Sequence, residues 1–412
     1  VKKEEDIMKK FNKFLSVAVA SAMVMAMAGC GNTDNGSAAT GTNAATESAA
    51  ASDSAASGSV FKIGGIGPTT GGAAVYGLAV QHGAEIAVEE INAAGGINGY
   101  QVEFKFQDDE ADAEKSVNAY NALKDWGAQI IDGSTTSGAC IAVTDKTKED
   151  NMFQITPSGS AVECVQYDNN FRVCFSNPNQ GLASAQYIGE NGLAEKIAVI
   201  YDSSDVYSSG IYEKFAKEAE NQPFEIVAAE AFTADNKTDF SVQLQKAKDA
   251  GADMVFLPIY YQESALILTQ AAAMGYAPKW FSCDGMDGIL GGVDNFDVSL
   301  TEGVMLLTPF AADATDDLTQ SFVTKYKEKY GDTPNQFAAD SYDAIYVIKA
   351  AIEKSGVTPD MSVSDICDGM KAAMTEITVD GLTGNGMTWT ADGEANKAPK
   401  AVVIENGAYK AM

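Results

Sequence analysis

From about residue 60 onward, short strand-like runs alternate with longer helix-like runs, and this alternation constrains the fold most strongly. Residues 61–66 form an apolar strand pattern that ends at Gly67-Pro68, and residues 78–92 follow with an apolar stripe at helical spacing. The same order continues to the end of the chain. Such an order is typical of parallel sheets covered by helices, so the sequence predicts an α/β fold.

The alternating pattern continues over residues 60–412 without a Pro- or Gly-rich linker. A chain of this length exceeds one ordinary hydrophobic core, so we expect two doubly wound lobes joined by several short crossovers. Further strands are predicted at 102–106, 129–132, 152–155, 197–201, 225–229, 254–257 and 304–307, and further helices at 211–221, 240–250, 264–274 and 335–354.

The first 59 residues have a different character from the rest of the chain. Lysines precede a short apolar run at 14–28, which is typical of a secretory signal peptide, here predicted over residues 1–29. The four residues that end at Cys30 resemble the lipobox of bacterial lipoproteins, so we predict that Cys30 is lipidated; the alternative is an ordinary signal peptide with Cys30 incidental. Residues 30–59 are mostly small and polar, which predicts a flexible tether.

Charge and residue counts argue against several classes of function. The net charge is −29 and Arg172 is the single arginine, so the chain is poorly suited to bind nucleic acid. His82 is the single histidine and lies in a predicted helix, which argues against histidine metal sites and Ser-His-Asp chemistry. The glycines at 64–67 lack the third glycine of a dinucleotide-binding loop. We therefore expect no metal, no other cofactor and no catalysis.

The chain has six cysteines, a number compatible with an oxidising compartment. Cys164 and Cys174 flank a polar segment at 167–170 that we interpret as a hairpin turn. We therefore predict a disulfide between these two residues; the alternative is a pair of reduced, buried thiols. With Cys30 assigned to the lipid and Cys164 paired with Cys174, three cysteines remain: Cys140, Cys283 and Cys367. Because three is an odd number, at least one of them is free.

Candidate binding residues occur in loops that follow predicted strands, where open α/β sheets bind their ligands. Hydroxyl-rich loops at 134–138 and 156–160 lie beside expected helix N-termini, an arrangement that favours a carboxylate. Asp284 can balance an ammonium group, and tyrosines supply apolar walls with a polar tip. Together these features suit a small zwitterion such as an amino acid. The alternative is that the Ser, Thr and Gly residues are only helix caps and turn residues.

A family resemblance runs through the same loops. Residues 63–100, and above all the run at 90–99 that reads EINAAGGING, closely resemble the opening of the leucine/isoleucine/valine-binding protein family. Shorter matches, including Asp108-Asp109, Asp284-Gly285 and residues 381–384, extend the resemblance over residues 60–412. The resemblance implies a type I periplasmic-binding fold whose two lobes are joined by three crossovers. Lobe 1 would comprise 60–178 and 308–383, and lobe 2 would comprise 179–307 and 384–412.

The resemblance also implies roles for individual residues. Ser137, with the loop of Ser158 and Ser160, would hold the carboxylate of the ligand, and Asp284 would hold its ammonium group. The remaining candidates line the cleft beside them: Tyr76, Thr136, Tyr207 and Tyr260. The sequence departs from the family pattern at three positions, with Asp rather than Glu at 284 and threonines at 135 and 136. These departures leave undetermined which ligand side chain the site selects.

The function implied by the resemblance is the solute-binding component of an ABC importer. It would capture an amino-acid-like ligand by hinge closure, deliver it to permease subunits and act as a monomer. It would be lipid-anchored at the outer face of the bacterial cytoplasmic membrane. Alternative ligands are a polar or aromatic amino acid, a short amide, urea or a small organic acid. A sensor module of a membrane receptor and an extracellular hydrolase are more remote alternatives.

Overall fold

The computed structural model describes residues 58–412, which belong to one compact unit. The predicted signal peptide, Cys30 and nearly all of the predicted tether therefore lie outside the described residues. Within residues 58–412, no helix is both long enough and apolar enough to cross a bilayer.

Five strands form the first sheet, and all neighbouring pairs are parallel. They are β1 Phe61–Gly67, β2 Val102–Asp108, β3 Ile130–Asp132, β4 Phe153–Thr156 and β5 Asn170–Arg172. Their order in space is β2-β1-β3-β4-β5. Strands β3 and β4 are buried throughout, including their polar residues Asp132, Gln154 and Thr156.

Seven strands form the second sheet. They are β6 Lys196–Asp202, β7 Glu225–Phe232, β8 Met254–Leu257, β9 Lys279–Ser282, β10 Met305–Thr308, β11 Lys400–Glu405 and β12 Ala408–Ala411. Their order is β12-β11-β10-β9-β8-β6-β7. Strands β6 to β10 pair in parallel, whereas β11 and β12 join the edge in antiparallel pairing.

Ten α-helices connect and cover these strands within residues 58–412. They are α1 Ala74–Ala93, α2 Ala113–Trp126, α3 Ser137–Asp150, α4 Asn177–Glu190, α5 Val206–Ala219, α6 Ser241–Asp249, α7 Tyr261–Ala273, α8 Asp317–Tyr330, α9 Gln336–Ser355 and α10 Val363–Met374. After β10 the chain returns to the first sheet, against which α9 and α10 pack, and then re-enters the second sheet at β11. The predicted α/β fold class is confirmed.

The segment between Cys164 and Cys174 differs from the predicted hairpin. It begins as a short 3₁₀ helix, Val162–Val165, and continues into β5, which pairs in parallel with β4. Because there is no hairpin, the two cysteines are not opposed, and both are free in the structure. The Sγ of Cys164 donates to the carbonyl of Ser137, whereas that of Cys174 donates to the carbonyl of Gly159. In this structure Cys164 and Cys174 do not form the predicted disulfide.

Helix α1 lies directly against α9, with backbone facing backbone. A Cβ atom on Gly83 would overlap the carbonyl oxygen of Ala338, and one on Gly77 would overlap that of Pro68. Glycine is therefore required at both positions for steric reasons. This close packing fixes the start of α1, which carries Tyr76, relative to the first turn of α9.

Candidate functional site

A small cavity lies where loops of the first sheet meet loops of the second. Seven of the eight predicted ligand-binding residues line it: Tyr76, Thr136, Ser137, Ser158, Tyr207, Tyr260 and Asp284. Thr135, Gly285 and Phe337 complete the lining. The structure therefore brings together residues that are more than 200 positions apart in the sequence.

The first wall of the cavity consists of hydroxyl groups near the N-terminus of α3. The Oγ of Ser158 donates to the carbonyl of Thr135 at 2.6 Å, which links the loops after β3 and β4. The Oγ1 of Thr136 is buried and has no hydrogen-bond partner among the described residues. An unpaired buried hydroxyl costs about 1–3 kcal/mol, so Thr136 offers a ligand a favourable hydrogen bond.

Ser160 lies behind this wall and does not line the cavity. It is fully buried, and its backbone amide donates to the Oγ of Ser137 at 3.2 Å. The amide of Ala161 donates to the same oxygen, also at 3.2 Å. Ser137 thus accepts two hydrogen bonds, and its own proton remains available to an acceptor in the cavity. Ser160 acts on the site by holding Ser137 in place.

The second wall is formed by Asp284 at the end of β9. Its Oδ1 accepts a hydrogen bond from the hydroxyl of Tyr207 at 2.6 Å, and its Oδ2 accepts one from Nε2 of Gln180 at 2.8 Å. Burial raises the pKa of Asp284 to about 7, although the hydrogen bond from Tyr207 opposes the shift. A cationic group in the cavity would stabilise the ionised carboxylate.

Aromatic rings close the cavity between these two walls. The ring centroid of Tyr76 lies 4.4 Å from that of Phe337 and 5.5 Å from that of Tyr260, which stacks on Tyr207 at 5.0 Å. The hydroxyl of Tyr76 donates to the carbonyl of Gly285. The rings provide an apolar enclosure of the kind that suits an aliphatic or aromatic side chain.

Sequence reasoning missed two residues of the site. Phe337 lies in the first turn of α9, a helix that follows another helix rather than a strand, so the search of strand ends did not reach it. Gln180 lies in α4 and contacts Asp284 from behind the cavity. Neither residue belongs to a recognisable local motif, and only packing between elements distant in the sequence brings Gln180 to Asp284 and Phe337 to Tyr76.

A larger pocket adjoins the cavity and shares Thr136 and Tyr260 with it. Glu263 and Lys237 form an ion pair at 3.0 Å on its rim. Burial raises the pKa of Asp205, which also lines this pocket, to about 6. The pocket lies between both sets of loops, so it forms an outer chamber next to the cavity.

Within residues 58–412, no group of three or more His, Cys, Asp or Glu side chains is arranged to hold a metal ion. His82 stacks on Tyr330 with ring centroids 3.6 Å apart, and its Nδ1 lies 3.2 Å from the hydroxyl of Tyr326. This histidine therefore has a packing role on α1, away from the cavity.

Comparison with known proteins identifies the family of this chain. A family model described as periplasmic binding protein matches residues 60–408. Leu/Ile/Val-binding protein homolog 3 of Brucella melitensis is 30% identical over 300 residues, which cover 72% of this chain and 80% of the relative. The Leucine-, isoleucine-, valine-, threonine-, and alanine-binding protein of Pseudomonas aeruginosa is also 30% identical, over 72% of this chain and 78% of the relative.

Two solved structures show the same architecture. The branched-chain amino acid transporter substrate-binding protein LivJ from Streptococcus pneumoniae, in complex with isoleucine, is 28% identical with a TM-score of 0.77, covering 85% of this chain and 98% of that one. A solute-binding protein from R. palustris in complex with benzoate is 20% identical with a TM-score of 0.75, covering 86% and 95%; it shows the likeness of fold alone. The chain belongs to the periplasmic binding proteins and, among them, to the Leu/Ile/Val-binding protein family.

Proposed function

We propose that the protein is the extracytoplasmic solute-binding component of an ABC importer and captures an amino acid in the cavity around Ser137 and Asp284. One observation carries this proposal. Hydroxyls on loops of the first sheet face a buried acid on a loop of the second sheet, and aromatic rings enclose the space between them. A zwitterion with an apolar side chain matches all three features.

The charged groups of the ligand would bind opposite walls. Its carboxylate would accept hydrogen bonds from Ser137, from Thr136 and from the free amides at the N-terminus of α3. Its ammonium group would donate to Asp284 and to the carbonyl of Gly285. Each hydrogen bond to a charged group contributes about 1.5–3 kcal/mol, so two or three of them decide affinity.

The aromatic enclosure favours a branched aliphatic side chain, in line with the isoleucine bound by the pneumococcal relative. A second candidate is an aromatic or other small organic acid. Two observations favour it: the pKa of Asp284 is about 7, so this residue is partly neutral at physiological pH, and a structural neighbour binds benzoate. The same hydroxyl wall would hold such a carboxylate, while protonated Asp284 would need no ammonium partner.

We further propose hinge closure between a lobe of residues 60–178 with 308–383 and a lobe of residues 179–307 with 384–412. Contacts across this division support closure: Tyr76 donates to the carbonyl of Gly285, and Nε2 of Gln336 donates to the carbonyl of Asp284 at 2.9 Å. A ligand that contacts both walls would favour the closed conformer, which the permease subunits would recognise.

The remaining features of the proposal concern export, membrane anchoring and oligomeric state. Residues 1–29 would be removed as a signal peptide and Cys30 would carry the lipid anchor. The tether that follows would reach roughly 30 Å, far enough to let the globular part turn near the membrane. The protein would act as a monomer without catalysis, since it needs only to bind and release a solute.

A thermal-shift screen followed by titration calorimetry tests the proposal. The ligands are the twenty amino acids, short amides, urea and benzoate. A ligand with micromolar Kd raises the free energy of unfolding by about 4 kcal/mol at millimolar concentration. We expect leucine, isoleucine or valine to give the largest shift. A response to benzoate alone would transfer the proposal to organic acids, and no response to any amino acid would contradict amino-acid capture.

A further inference from the structure

Three cysteines lie directly behind the hydroxyl wall of the cavity. Cys140, in the first turn of α3, and Cys164, in the 3₁₀ helix Val162–Val165, are both fully buried. Together with Ala161 their side chains form a separate small cluster, in which they pack against each other. Cys174 is also buried, but its Sγ points to the carbonyl of Gly159, 3.6 Å away. The packing therefore selects Cys140 and Cys164 as the pair.

The surroundings hold this pair in a defined position. Nε2 of Gln154 donates to the Sγ of Cys140 at 3.6 Å, and the Sγ of Cys164 donates to the carbonyl of Ser137 at 3.6 Å. A Cβ atom on Gly159 would lie 3.0 Å from the Sγ of Cys140, so the loop passes close over this thiol. The pair thus lies at the junction of the two segments that carry Ser137 and Gly159.

The electrostatic environment distinguishes the two thiols. The guanidinium of Arg172 is fully buried beside them and donates to the carbonyls of Gly159 and Ala161 at 3.2 and 2.8 Å. Burial opposes ionisation of Cys140, but its contact with Cys164 and the positive charge of Arg172 outweigh burial, and its pKa is lowered. Burial raises the pKa of Cys164 well above its usual range. The two thiols thus share one buried environment beside the guanidinium of Arg172.

We propose that Cys140 and Cys164 form a disulfide in the extracytoplasmic compartment by exchange with a small-molecule or protein disulfide. The Cys140 thiolate attacks one sulfur of the oxidant, forms a mixed disulfide and releases one thiolate. Cys164 then loses its proton and attacks the Cys140 sulfur, which releases the second thiolate. The net reaction oxidises two protein thiols and reduces one disulfide of the oxidant to two thiols. Since both thiols are buried in the folded protein, exchange takes place before the segment Val162–Val165 packs.

The proposed bond would join the first turn of α3 to the 3₁₀ helix beyond Ser160. It would therefore fix the two segments that form the hydroxyl wall, whatever ligand the cavity takes. The bond also closes a loop that includes β4, and closing such a loop restricts the unfolded chain. This inference does not depend on the identity of the ligand.

Peptide mapping of the full chain with Cys30→Ser tests the inference. The protein is refolded from denaturant with oxidised glutathione, its remaining thiols are alkylated under denaturing conditions, and the digest is examined by mass spectrometry. We expect loss of two of the five free thiols at 140, 164, 174, 283 and 367, and one linked peptide pair that contains Cys140 and Cys164. Five alkylated cysteines, or a Cys164–Cys174 linkage, would overturn the inference.

Matched variants sharpen the test. Cys174→Ser removes the neighbouring thiol and should leave the Cys140–Cys164 linkage intact. Cys164→Ser should abolish the linkage and leave every remaining cysteine alkylated; a new linkage between Cys140 and Cys174 in this variant would show that pairing is not selective. The map of the chain that retains all five cysteines decides the question even where a variant folds poorly.

Discussion

The Nζ of Lys397 lies 2.6 Å from Oδ1 of Asp340, and the two side chains are only 1% and 3% exposed. The same Nζ donates to the carbonyl of Val173 at 3.1 Å. A single buried ammonium group therefore ties together the residue after β5, helix α9 and the segment that leads into β11. The first and the last of these three lie on passages by which the chain moves between its sheets.

Lys397→Met is expected to destabilise the fold strongly. The substitution leaves the Asp340 carboxylate buried without its partner, a loss of about 3–5 kcal/mol in the free energy of unfolding. Urea denaturation checks this value. Lys349→Met is the matched control, because Lys349 pairs with Glu353 on an exposed helix face and its loss should cost less than about 1 kcal/mol. The double variant Asp340→Leu with Lys397→Met should recover most of the loss; equal destabilisation by Lys397→Met and Lys349→Met would contradict this account.

Asp284→Ala and Ser137→Ala should each weaken amino-acid binding at least about tenfold, since each removes a hydrogen bond to a charged group worth about 1.5–3 kcal/mol. Titration calorimetry with the best amino acid from the screen measures the change. The melting temperature of the protein without added ligand should fall modestly, since each substitution leaves buried donors without an acceptor. Asp294→Ala, at an exposed loop position, is the control and should bind as the unmodified protein does. Unchanged affinity in both site variants would remove these residues from the binding site.

Amino-acid affinity should fall as the pH falls below about 7. Burial places the pKa of Asp284 at about 7, and an ammonium ligand requires the ionised carboxylate. Below that pH the free protein must lose a proton to bind, so Kd should rise by up to about tenfold per pH unit. Calorimetry between pH 5 and pH 8 follows the effect. The affinity for benzoate, which needs no ionised Asp284, should change in the opposite direction or not at all. An amino-acid affinity that does not change with pH would argue against contact between the amino acid and Asp284.

The buried Asp132 should make the stability of the fold depend on pH. Stability should fall as the pH rises, whereas amino-acid affinity should fall as the pH falls. Its Oδ2 accepts from Ser341, its Oδ1 has no partner, and complete burial raises its pKa to about 7. Between about pH 4 and pH 7 the folded protein keeps this proton and the unfolded chain does not. The contribution of Asp132 to stability is therefore present below pH 4 and declines by about 1.4 kcal/mol per unit as the pH rises to 7.

Denaturation of wild type and Asp132→Asn at pH 5 and pH 8 isolates this contribution. The side chain at position 132 cannot ionise in the variant. The variant should therefore be more stable relative to wild type at pH 8 than at pH 5. The comparison between the two pH values cancels any fixed cost of the amide. A difference between the two proteins that does not change with pH would refute the shifted pKa.

The sequence predicted the parallel strands and the loops at their ends because buried strands and turn residues leave local patterns. The hydroxyls near Ser137 and the acid at position 284 could be found in this way, since parallel strands bring their carboxyl ends to one edge of a sheet. The absence of a hairpin between Cys164 and Cys174 could not, because the polar segment at 167–170 carries no local signal that it leads into a strand parallel to β4. Phe337 and Gln180 were also missed, because packing between distant helices places them at the site.

The absence of a side chain at Gly83 limits where the cleft can open. Helices α1 and α9 touch through their backbones, so neither can slide without collision, and Tyr76 must travel with Gln336 and Phe337. Separation of the two walls must then break the links from Gln336 to the carbonyl of Asp284 and to Oδ2 of Asp287, at 2.9 and 3.0 Å. Tyr76, Phe337 and Gln336 would thus move together as one rigid group. On opening, this group would separate from the loop that carries Asp284.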